Sequence, residues 1–142
     1  IFYILINKTI FNKDYEYGTN SEIDTLSLMK KYFNDNTLQI NNDKYGSFDF
    51  IGKDVNVELK TRRINYTQAN TYGDLIFSYS KYKKWLVDKK DTYICWKLLD
   101  KICYWKMNLI EDKWITTNSF RNDGAENNSN IIHIPMKLIK TF

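Results

Sequence analysis

The chain has 142 residues, 43% of them hydrophobic and 16% aromatic, with a formal charge of +4 and a pI near 8.9. This length and composition fit one packed domain spanning residues 1–142, and argue against a disordered or membrane-embedded chain. Two cysteines and a single histidine are too few for a four-ligand structural zinc site, and five scattered glycines form no phosphate-binding loop.

In chain order, the opening run IFYILI is too short to span a bilayer and carries no basic leader, so it reads as a strand. The missing initiator Met suggests trimming or a fragment of a longer chain. Residues 21–34 place Ile23, Leu26, Met29 and Phe33 at spacings of three and four, which predicts a helix opened by Thr19, Asn20 or Ser21 as cap. A short strand follows at 38–40, and then a hairpin with strands at 45–52 and 55–62. Leu75, Ile76, Tyr79, Tyr82 and Leu86 recur helically and predict a second helix over 71–89. TYICWKL and ICYWKM predict strands over 92–98 and 102–107, joined by a turn at Leu99-Asp100-Lys101. The polar run 118–130 reads as a surface loop, and the tail IIHIPMKLI as a further strand or a short helix.

Cys95 and Cys103 are expected as buried or free thiols in a reducing, intracellular compartment. His133 lies between apolar residues and reads as a packing residue, which leaves a Ser-His-Asp or Cys-His nucleophile without support. Trp85, Trp96, Trp105 and Trp114 are expected to pack and are assigned no base-stacking role.

The hairpin YGSFDFIGKDVNVELKTRR carries the chemistry. Val55, Val57 and Leu59 point one way and Asn56, Glu58 and Lys60 the other. Asp is depleted from strands, yet Asp49 interrupts Phe48, Phe50 and Ile51. A two-residue turn at Lys53-Asp54 sets Asp49 directly opposite Glu58, with Lys60 two residues along on the same face; a slip of one residue, with Gly52 inside the turn, would separate them. Opposed carboxylates repel, so this pair invites a hard, oxygen-seeking cation between them.

Asp49 with Glu58-Leu59-Lys60 resembles the signature of the PD-(D/E)xK nuclease superfamily, the restriction-endonuclease-like fold, with Phe48 standing where the family's name has proline. The order helix, three strands, helix, strand over residues 19–107 also matches that core. The resemblance implies an α/β fold with a central mixed sheet flanked by helices. It further implies a Mg²⁺- or Mn²⁺-dependent deoxyribonuclease in which Asp49, Glu58 and the Leu59 backbone carbonyl hold the ion and Lys60 orients water or stabilises charge.

Several families of that fold add an acid on the first helix, a position that Glu22 fits, with Asp24 as the fallback. Thr19-x-x-Glu22 is equally a capping-box pattern. Arg62, Arg63, Lys81 and Lys84 could follow a phosphate backbone, and Gln68 and Tyr72 could orient substrate or simply fill or cap a loop. DNA is the expected partner, RNA not being excluded, with a homodimer for two-strand cleavage and no membrane. The alternative is a catalytically inactive nuclease-fold module that binds nucleic acid or serves as a scaffold.

Overall fold

The structure is a computed structural model that describes residues 24–43, 48–120 and 126–142. Helix α1 occupies residues 24–32 of this part. Strands β1 (Gln39–Ile40), β2 (Phe50–Ile51) and β3 (Val55–Thr61) follow, then helix α2 (Tyr66–Tyr72), strand β4 (Asp74–Ser78) and helix α3 (Tyr79–Asp88). Strands β5 (Asp91–Lys97), β6 (Ile102–Lys106), β7 (Ile115–Phe120), β8 (Glu126–Pro135) and β9 (Lys140–Thr141) complete the chain, with 3₁₀ turns before β7 and β9. No described helix is long and apolar enough to cross a membrane.

The architecture is α/β, built on a mixed six-stranded sheet ordered β1-β2-β3-β5-β6-β9. β3 and β5 pair in parallel, while the other neighbours are antiparallel. A parallel pair needs a long crossover, and here α2, β4 and α3 supply it. β4 leaves the main sheet to pair with β8, which pairs in turn with β7 in a second, three-stranded antiparallel sheet.

Two apolar clusters cover the two faces of the main sheet. Val55, Val57 and Leu59 of β3 and Cys95 of β5 pack with Met29, Phe33 and Leu38 on the α1 side. Ile94 and Trp96 of β5 join Phe77, Tyr82, Trp85, Ile132 and Ile134 on the other side, beneath α3 and the second sheet. Trp96 Nε1 donates to the Ile76 carbonyl at 2.9 Å, which ties the sheets together. Glu58 lies beside Ile94 and Lys60 beside Trp96 in the parallel register, so both acid and lysine face α3.

The helix expected over 71–89 is instead the end of α2, then β4, then α3. Gly73 closes α2 in the left-handed region (φ 88°), and in Asp74–Ser78 Leu75 and Phe77 alternate inward against β8. The spacing of Leu75, Ile76 and Tyr79 suits either state, and a partner strand more than fifty residues away decided it. The expected loop at 118–130 is likewise replaced: its described parts belong to β7 and β8, whose register pairs Thr117 with Asn130 and Asn118 with Ser129. The tail IIHIPMKLI is both strand and short helix: it completes β8 at Pro135 and then forms a 3₁₀ turn over Met136–Leu138.

The strands expected at 92–98 and 102–107 appear within a residue at each end. Cys95 pairs with Tyr104 and Cys103 with Trp96, so the two free thiols lie on opposite faces of the sheet and cannot bridge. The strand expected at IFYILI lies outside the described residues.

Candidate functional site: two opposed carboxyl groups on a braced hairpin

The β2–β3 turn is the two-residue one. Gly52 N–H donates to the Val55 carbonyl at 2.9 Å across Lys53-Asp54, with Ile51 opposite Asn56 and Phe50 opposite Val57. A buried side chain from outside the hairpin braces this turn. Asp35 accepts from Asp54 N (3.0 Å), Val55 N (3.1 Å) and Thr37 N (2.9 Å), and from the Thr37 hydroxyl. That hydroxyl, foremost, and the backbone N–H groups outweigh burial and hold the Asp35 carboxyl down at about 2. Lys90 closes the ring by donating to the Gly52 carbonyl.

Continuing the register one residue sets Asp49 opposite Glu58. Antiparallel pairs alternate between hydrogen-bonded and open, and with Gly52–Val55 bonded, Asp49–Glu58 falls at an open position, where side chains stand closest. At the next step a regular ladder would join Leu59 N–H to the Phe48 carbonyl. Instead the Asp49 carboxylate takes Leu59 N–H at 2.8 Å, and the Phe48 carbonyl accepts from Asn41 Nδ2 at 3.0 Å. The acid therefore stands in for a backbone acceptor and is locked in place. In an extended strand, N–H and C=O of one residue point to the same side, so the Leu59 carbonyl also projects toward Asp49.

Glu58 is 3% exposed, an unusual place for a carboxyl group. Its carboxyl group stands opposite that of Asp49 in the β2–β3 register, and the Lys81 ammonium on α3 lies 2.8 Å from Oε2. Oε2 is buried, with that ammonium as its ionic neighbour and no hydrogen bond of regular geometry among the described residues. Burial first, then the neighbouring carboxyl group of Asp49 and its negative charge, push Glu58 up to about 8, against the opposing pull of Lys60 and Lys81. At neutral pH Glu58 therefore keeps its proton.

The other expected site residues divide. Glu22 lies outside the described residues, and Asp24 is exposed on α1. Arg62 is half-buried, donating from Nη1 to the Thr61 carbonyl at 3.0 Å, and desolvation lowers its pKa. Arg63 and Lys84 are exposed. Gln68 is committed to the capping box of α2, exchanging hydrogen bonds with Asn65 at 2.8 Å each way, and Tyr72 is exposed at the end of that helix.

Lys81, expected on the nucleic-acid-binding surface, faces the acids. Sequence spacing could not pair it with Glu58, because the two sit on different elements joined only by the crossover. Its one local sign is a lysine in the first turn of a helix, where the dipole disfavours a cation. His133, expected as a packing residue, is half-buried in the second sheet, with Nε2 2.8 Å from the Thr116 hydroxyl and Nδ1 3.3 Å from Asp74. Trp85, Trp96 and Trp105 are buried as expected, and Trp114 is half-buried.

Among the described residues no three of His, Cys, Asp and Glu converge on one point, so a cation here would meet two carboxyl groups and the Leu59 carbonyl. Those oxygens are hard donors of the kind Mg²⁺ and Mn²⁺ take, with waters filling the remaining positions. Glu58 Oε2, buried without a directed hydrogen bond, is the atom that a cation would satisfy. No family model matches the chain, and no curated protein is significantly similar to it in sequence.

Proposed function

We propose that the chain is a Mg²⁺- or Mn²⁺-dependent nuclease of the PD-(D/E)xK type that hydrolyses phosphodiester bonds of DNA. The observation that carries this is the buried Glu58 carboxyl set opposite Asp49 across the β2–β3 register, with Lys60 two residues along on the same face. The order of elements supports it: α1, β1, β2, β3, α3 and β5 run as helix, three strands, helix, strand, with α2 and β4 inserted between the third strand and the second helix.

Asp49, Glu58 and the Leu59 carbonyl would hold the ion, which supplies an activated water and neutralises charge building on the phosphate. Asp49 is fixed by the Leu59 N–H, so one carboxylate is preorganised before anything binds. Burial of Glu58 lowers the local dielectric and strengthens every charge interaction at the cluster. Lys60, half-buried on the same face, orients the attacking water or stabilises the charge on the phosphate. Arg62, Arg63 and Lys84 contact the nucleic-acid backbone, and two copies of the chain act where both strands are cut.

The test is incubation of wild type and Lys60→Ala with linear, circular and branched DNA and with single-stranded RNA, in Mg²⁺ and in Mn²⁺. Metal-dependent nicking that Lys60→Ala loses, at unchanged melting temperature, is the expected outcome. Absence of cutting of every substrate under both ions would refute the activity and leave a binding or scaffold module.

A further inference from the structure

We propose that Lys81 is a built-in occupant of the cation position, holding Glu58 in the metal-free chain and leaving when a divalent ion binds. This rests on the metal-dependent reading above and assigns α3 a part in it. Lys81 Nζ lies 2.8 Å from Glu58 Oε2, with the two side chains 19% and 4% exposed. It also lies 5.8 Å from the ring centre of Phe48, the residue before Asp49, so it reaches the acid pair from the Phe48 side.

Nothing in α3 itself asks for a lysine there. Ser78 caps the helix, Lys81 is its third residue, and the first turn carries no acid to offset the ammonium against the positive end of the helix dipole. A local rule broken in this way marks a residue kept for something outside its own helix. Here that is a buried carboxyl oxygen with no directed hydrogen bond.

A divalent ion seated between Asp49 and Glu58 needs the oxygen that Lys81 occupies, and the two cations repel at that range. The flexible lysine stem and its exposed fraction let the ammonium swing outward, toward the place where a phosphate would lie. Ion binding and release of Lys81 are therefore coupled, and the coupling is reciprocal.

The test titrates the full chain with Mn²⁺ by calorimetry at one fixed pH, for wild type, Lys81→Met and Lys81→Arg. It also follows reductive methylation of Lys81 in the wild type with and without Mn²⁺, by mass spectrometry. Lys81→Met is expected to bind Mn²⁺ about tenfold more tightly than wild type, Lys81→Arg to show no gain, and Mn²⁺ to speed methylation of Lys81. Equal or weaker Mn²⁺ binding by folded Lys81→Met, or a Lys81 reactivity that saturating Mn²⁺ leaves unmoved, overturns the proposal. Absence of Mn²⁺ binding in all three chains overturns the ion site and this proposal together, whereas binding to wild type with Lys81 unaffected overturns the role of Lys81 alone.

Discussion

Replacing Glu58 by Gln should remove a pH dependence of stability that the carboxyl cluster imposes. The folded carboxyl group sits at about 8 against an ordinary value of 4.5, so between those limits the folded chain keeps a proton that the unfolded chain has lost. Stability is full below the ordinary value and declines as pH rises through the folded one. Linkage at 25 °C puts the loss at roughly 3 kcal/mol at pH 7 and under about 1 kcal/mol at pH 5.

Gln copies the protonated acid: it is neutral, has the same shape, and can donate to Asp49. It carries no proton to lose. The measurement is urea unfolding of both proteins at pH 5, 6 and 7 without divalent ions. Asp35 contributes no slope there, since its carboxyl group stays ionised throughout that window. The gap in favour of Glu58→Gln should widen by about 2 kcal/mol between pH 5 and pH 7. A constant or shrinking gap would mean that Glu58 ionises in the folded chain as readily as in the unfolded one, and the buried, protonated Glu58 would be wrong.

Gly52→Ala should destabilise the fold by about 1–3 kcal/mol in urea melts, as an overpacked site does. A Cβ there would lie 2.4 Å from Asp35 Oδ2 and 3.2 Å from Leu38 Cα, a clash with the turn's own brace. Asp35→Asn should lower the melting temperature and flatten the acid limb of stability. The depressed wild-type carboxyl contributes stability that is present above the ordinary carboxyl range and lost as pH falls toward about 2. Mn²⁺ binding should strengthen roughly tenfold per pH unit up to about 8 and then level off, because the ion must displace the proton that Glu58 keeps. A pH-independent affinity in calorimetry would place the ion elsewhere.

Much of the hairpin was legible because its causes are local. The turn at Lys53-Asp54 sets the β2–β3 register, and alternation along Val55–Thr61 then separates Val55, Val57 and Leu59 from Asn56, Glu58 and Lys60. The same locality failed at Asp74–Ser78, where apolar residues suited helix and strand alike, and at 118–130, where polar composition concealed strands whose partners are one another. Asp35 gave no sign of bracing the turn, because its contacts to Asp54 and Val55 cross the intervening strands.

Chain order, side-chain alternation and turn chemistry brought Asp49 and Glu58 to within one residue of register, since each acts over a few bonds, and the pairing of β2 with β3 set them opposite each other. Tertiary structure decided how those acids behave. Only when β4 crossed to the second sheet and α3 settled over β3 was Glu58 shut away from water and set against Lys81. Burial and long-range charge depend on what packs above a strand, and no spacing within the strand records it.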